Sequence, residues 1–205
     1  MGCGTFTSND WKNYTASRGI TNSSDYSQIY TNKNMKDSLN PNGIFYRESC
    51  DSDDHPNSTP IILGIDVTGS MGDLAATIAK ESLNTLMNEL YDKQPVPDPH
   101  VMFMAIGDAF TDDAPLQVSQ FEADIRIAEQ LTDIYFEGHG GGNGGESYLL
   151  AWYFAARHTK IDSFEKHERK GFLFTIGDEP NHSKITIDQV KRIFWDDIEA
   201  DLSAE

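Results

Sequence analysis

Apolar positions in this chain fall into two kinds of run. Ile61-Ile62-Leu63-Gly64-Ile65, Val101 to Ile106 and Phe172-Leu173-Phe174-Thr175-Ile176 are short and nearly continuous, the pattern of strands buried on both faces. Between them, apolar residues recur at helical spacing. Ala75, Ile78, Ala79, Leu83, Leu86, Met87 and Leu90 make one stripe, which ends before Pro95 and Pro97. Ile125, Ala128, Leu131 and Ile134 make a second, and Tyr148 to Ala156 is apolar on nearly every side. A last helix opens with Thr186 and Gln189 in capping-box register and sets Ile187, Val190, Phe194, Ile198 and Leu202 on one face. Leu116 to Phe121 also has strand character. It follows Ile106 too closely for a parallel crossover, so those two strands are expected to pair antiparallel.

Strands alternating with helices predict an α/β domain: a Rossmann-like, mostly parallel sheet with helices on both faces and one antiparallel edge strand. That domain spans residues 60–205. Residues 1–59 are rich in Asn, Ser, Thr, Asp and Tyr, with scattered aromatics (Trp11, Tyr14, Tyr26, Tyr30, Phe45, Tyr46) and no apolar period. They read as an arm, either a disordered leader or a segment that packs on the body through its aromatic rings. Asn57-Ser58-Thr59-Pro60 closes the linker.

Composition narrows the function. A formal net charge of −17 repels phosphate backbones, which argues against a nucleic-acid partner and favours cations or a basic protein surface. No apolar run reaches membrane-spanning length, and the start, Met1-Gly2-Cys3-Gly4-Thr5-Phe6, has neither the basic and apolar regions of a secretory signal nor a myristoylation motif. Cys3 and Cys50 alone make neither a disulfide framework nor a zinc set, so a reducing cytoplasm is the expected compartment.

Ligands of parallel sheets bind beyond the carboxyl ends of the strands, and Asp66, Asp108 and Asp178 stand at three such ends. The densest signal is Asp66-Val67-Thr68-Gly69-Ser70-Met71, between a buried strand and a helix. Its oxygens sit at alternate positions, which in an extended turn point the same way. One carboxylate and two hydroxyls suit a hard cation that prefers oxygen and keeps some water, Mg²⁺ first, with Mn²⁺ or Ca²⁺ as alternatives. Asp108 either contacts such an ion through another ligand or is a solvated turn residue. Asp66 and Asp178 as plain helix caps would leave Thr68 and Ser70 unexplained.

Asp66-x-Thr68-x-Ser70 at the end of the first strand resembles the metal-ion-dependent adhesion site of the von Willebrand factor A family, over about residues 60 to 200. The resemblance implies a third-loop ligand after a later strand, which Asp178 in Thr175-Ile176-Gly177-Asp178 supplies. It also implies a second-loop Thr, where this chain has Gly140-Gly141-Gly142-Asn143-Gly144-Gly145-Glu146-Ser147; Asn143, Glu146 or Ser147 stand in for it. The implied function is a binding module, not an enzyme, in which a protein partner's Asp or Glu completes the coordination of the ion. Family domains usually carry about two further strands after the helix placed here near Leu202. The sheet is therefore expected to be short, through a truncated chain or with an open apolar edge covered by the arm or a partner.

Three rivals remain. The same motif resembles the phosphorylated aspartate of haloacid dehalogenase-type phosphoryl transferases, with Asp66 as nucleophile and Gly177-Asp178 as the later Mg²⁺ site, though Glu179-Pro180-Asn181-His182 matches that later motif poorly. His139 and His182 near the loops raise zinc, without the helical pair zinc sites use. A metal-free structural subunit explains a short sheet but not the oxygen cluster.

Overall fold

The computed structural model describes residues 4–137 and 145–204. The arm is folded onto the body. Its first helix, α1 (Ser8–Arg18), begins where the Thr7 hydroxyl accepts from the Asp10 N–H and ends at Gly19, whose φ of 66° is the left-handed turn that glycine adopts freely. A short helix α2 (Tyr26–Ile29), closed by an Asp25/Gln28 capping box, and strand β1 (Arg47–Ser49) follow. Phe6, Trp11, Ile29, Tyr30 and Leu39 of this segment are all buried. Each buried large side chain contributes on the order of 2 kcal/mol, so these five residues supply the stabilisation that a merely polar leader lacks.

The body comprises β2 (Thr59–Asp66), a long helix in three parts, strands β3 (Pro99–Ile106) and β4 (Leu116–Val118), then α5 (Arg126–Thr132) and α6 (Tyr148–Arg157). The long helix runs as α3 (Gly72–Thr77), a π-helical stretch Ile78–Ser82 and α4 (Leu83–Lys93). Strand β5 (Thr159–Ile161), the single turn α7 (Asp162–Glu165), β6 (Phe172–Ile176), β7 (Lys184–Ile185), α8 (Ile187–Phe194) and β8 (Leu202–Ser203) complete it. The central sheet has the order β4-β3-β2-β6, parallel except for β4, which pairs antiparallel with β3. β1 pairs with β5, and β7 with β8, as separate two-stranded ribbons.

Alternation along β3 divides the interior in two. Val101, Phe103 and Ala105 face a core built with α3 to α5 and the arm, while Met102, Met104 and Ile106 face one built with α6 and α8. Both faces of β3 are therefore buried, as its continuous apolar run predicts. No helix among the described residues is long and apolar enough to cross a membrane.

Two expectations are corrected. Phe172–Ile176 forms the open edge that the short sheet implied, but it was expected to be buried and instead has Phe172, Phe174 and Ile176 exposed by 45%, 51% and 40%. Leu173 packs towards α6, but nothing described lies over the other face, because the arm's buried side chains sit with α3 to α5 instead. The last helix also stops earlier than its apolar spacing suggests. Trp195 takes a left-handed conformation (φ 63°) that closes α8, so Ile198 lies beyond it, Leu202 enters β8 and Ile187 is 38% exposed.

At the amino-terminal end of the sheet, Ser49 Oγ, His100 and His55 form a buried chain: His100 Nδ1 lies 3.1 Å from Ser49 Oγ, and His100 Nε2 lies 3.0 Å from His55 Nδ1. Burial first, and the neighbouring imidazole second, hold His100 down to about 4. An unfolded His100 takes a proton near pH 6.5 and the folded one resists it, so stability present above pH 6.5 is lost as pH falls towards 4. The loss attributable to this residue is about 3 kcal/mol. Urea melts across that window should show a steeper decline for the wild type than for His100→Asn; equal slopes would contradict the assignment.

Candidate metal centre

The parallel register aligns three strand ends. Asp66 pairs with Ile106 on one side and Ile65 with Ile176 on the other, so Asp66, Gly107 and Gly177 leave the sheet at one level. The first loop is folded on its own carboxylate: Asp66 Oδ1 accepts from the Thr68 N–H at 2.8 Å and from the Thr68 hydroxyl at 2.7 Å. Asp66 and Thr68 are buried, whereas Ser70 and Asp178 lie exposed at the mouth, with the Ser70 hydroxyl donating to Asp178 Oδ1 at 3.2 Å. The predicted oxygens are thus brought together as two hydrogen-bonded pairs, and the negative charge of Asp178 adds to the burial that raises Asp66 above the usual carboxylate range. Neither aspartate caps a helix: the turn at Gly69–Met71 and α3 both start without a side-chain cap, and α8 is capped by Thr186.

Asp108 is wholly buried, which removes the solvated-turn alternative. Its carboxylate accepts from the Phe110 N–H at 3.0 Å, the Thr111 hydroxyl at 3.0 Å and the Ser147 hydroxyl at 3.4 Å, and lies 3.1 Å from His182 Nε2. With Ser147 Oγ also accepting from the Ala109 N–H at 2.9 Å, Asp108 and Ser147 tie the loop after β3 to the start of α6. His182 is engaged in the same network.

Of the second-loop candidates, Asn143 lies outside the described residues, as do His139 and most of the glycine cluster. Glu146 is described, and it is the unusual group of the crevice. Its main chain is fastened to the third loop, donating to the Pro180 carbonyl at 2.9 Å and accepting from the His182 N–H at 3.0 Å. Its side chain is 1% exposed, and Oε2 has no hydrogen-bond partner among the described residues. Burial, then the charges of Asp66 and Asp108, push this carboxyl up to about 8. An orphaned carboxylate oxygen among other carboxylates is the electrostatic complement of a cation. Among the described residues no three His, Cys, Asp or Glu side chains are placed to hold an ion by themselves. A donor set of two or three carboxylates supplemented by hydroxyls and water is the kind that a hard cation takes.

Sequence reasoning missed Tyr148. Its hydroxyl donates to Asp66 Oδ2 at 3.3 Å, and burial first, with the charge of Asp66 second, pushes the phenol above its ordinary range. The apolar pattern of α6 disguised it as core, although its place next to Glu146-Ser147 at the helix start was a usable signal. Tyr26 and Tyr30 of the arm were likewise not connected with the site. The Tyr26 ring lies where a Cβ on Gly72 would be, and the Tyr30 hydroxyl donates to the Ala75 carbonyl at 2.9 Å, so the arm braces the helix that leaves the Asp66 loop.

No protein-family model matches the chain, and a search of curated proteins finds no relative of it.

A Cβ on Gly177 would collide with the Tyr148 hydroxyl, so the third loop reaches Asp66 only because residue 177 is glycine. Gly177→Ala is expected to lower stability by about 1–3 kcal/mol, as overpacking does. Combined with Tyr148→Phe, which vacates the space, it should cost much less. Thermal melts of the four-member cycle check this, and additive losses would contradict the contact.

Proposed function

We propose that the chain is a metal-dependent protein-binding module that grips a partner's Asp or Glu through a divalent cation, Mg²⁺ first. The observation that carries this is the unpartnered, buried Oε2 of Glu146 among Asp66 and Asp108. Asp66 and Asp178, with the hydroxyls of Thr68 and Ser70, are the residues that would hold the ion, and Glu146 would engage it through water. A hard cation supplies Lewis acidity, to which an incoming carboxylate adds both charge and coordination.

The protein's own groups divide the remaining work. Asp66 and Glu146, at the buried floor, are shielded from water, and a cation there would favour their ionised forms, drawing the proton from Glu146. Ser70 and Asp178, at the exposed mouth, leave access from solvent. Thr68 and Tyr148 orient Asp66, while Asp108, Ser147 and His182 fix the loops around it. The resemblance of Asp66-x-Thr68-x-Ser70 to the adhesion site of von Willebrand factor A domains supports the same reading. A phosphoryl-transfer role for Asp66 is less well supported. Glu179-Pro180-Asn181-His182 after Asp178 matches the later acidic motif of such enzymes poorly.

Mg²⁺ or Mn²⁺ should raise thermal stability, by about 2.7 kcal/mol at a hundredfold excess over Kd. Asp66→Ala and Glu146→Gln should each abolish most of that gain, with no turnover of p-nitrophenyl phosphate by any form. Indifference of the wild type to both metals would sink the proposal, and steady hydrolysis lost in Asp66→Asn would replace it with the enzyme.

A further inference from the structure

An open hollow of about 640 Å³ lies away from the acidic crevice, where the carboxyl ends of α6 and α8 meet the chain leading into β1. Its floor is built around His158, which is buried and stacked between Phe154 and Phe194 with ring centroids 5.3 and 5.5 Å away. His158 Nδ1 lies 2.9 Å from the Ile44 carbonyl oxygen and Nε2 lies 2.8 Å from Asp196 Oδ2, which also accepts from the Tyr153 hydroxyl at 2.6 Å. This network ties the two helix ends and the arm together and fixes the shape of the hollow.

Two independent features of the wall point to one kind of ligand. Phe45 and Tyr46 stand edge to face with centroids 5.0 Å apart, and Phe45 is 80% exposed, so an aromatic face is offered to whatever enters. In the same lining, Asp197 and Glu199 add their charges to the negative ends of two helix dipoles. Asp197 holds Lys191 at 3.3 Å, but both side chains are largely in water, so that pair gives way cheaply. Arg157 is the opposing charge in the lining. An aromatic face beside carboxylates is the arrangement that recognises ammonium and guanidinium groups.

We propose that this hollow binds an organic cation, an alkylammonium or guanidinium group, between the Phe45/Tyr46 rings and the Asp197/Glu199 carboxylates. The site is independent of the metal centre and acts whether or not that centre binds an ion.

The test uses the full chain, labelled with ¹⁵N, and two probes: cadaverine as a free amine, and the peptide Gly-Gly-Lys-Gly-Gly as a protein-borne one. Saturable amide shifts at Tyr46, Arg157 and Glu199 are expected with at least one probe, and which probe binds more tightly identifies the source of the cation. Phe45→Ala, a change at an exposed ring that leaves the fold intact, should weaken binding about three- to fivefold. Glu199→Gln should weaken it and Arg157→Gln should tighten it. The proposal is overturned if neither probe gives saturable shifts, or if Arg157→Gln weakens binding, which would mark the hollow as an anion site.

Discussion

Carboxylates that leave water together repel one another and lose hydration at the same time, and the crevice at the carboxyl end of this sheet imposes both costs on Asp66, Asp108 and Glu146. Asp108 escapes by accepting hydrogen bonds from its own loop and from Ser147, and Asp66 partly escapes through Thr68 and Tyr148. Glu146 does not escape: among the described residues one of its oxygens is left without a partner. Much of the surrounding architecture keeps these groups in place. Parallel register levels the strand ends, glycine at 177 lets the third loop close on Tyr148, and the arm's Tyr26 and Tyr30 brace the helix after the first loop. The cost of burying these acids together is what the proposed cation would offset.

Much of the fold was legible because burial on two faces leaves a distinct mark on a strand. Ile61–Ile65 and Val101–Ile106 are apolar at nearly every position, and the short connection to Leu116 dictated the antiparallel edge. The same mark misled at Phe172–Ile176. A run of apolar residues records what a strand is suited to, not what lies over it here, and the described residues leave one face of β6 open. The end of α8 was hidden for a local reason: the left-handed turn at Trp195 has no glycine to announce it, and Ile198 and Leu202 happen to continue the helical spacing.

The site was half legible. Asp66, Thr68, Ser70 and Asp178 could be named because alternate oxygens after a buried strand have few other uses, and the fold brings them together in two hydrogen-bonded pairs. Separating Glu146 from Ser147 was beyond the sequence, since either could turn an oxygen inward from a glycine-rich loop; Asn143 lies outside the described residues. What separates Ser147 from Glu146 is hydrogen bonding: the serine is committed to Asp108 and Ala109, the glutamate is not satisfied. The arm's contribution was equally hidden, because scattered aromatics with no period do not reveal which surface they seek.

Crystals of the full chain soaked in Mn²⁺ and measured at the manganese edge address the central claim most directly. A single strong anomalous peak in the crevice, bounded by Asp66 and Asp178 and with Glu146 Oε2 engaged directly or through water, is the result expected. A crevice without a peak, with Mn²⁺ scattered over surface carboxylates and Glu146 Oε2 still unpartnered, would show that the buried acids are not assembled around a cation.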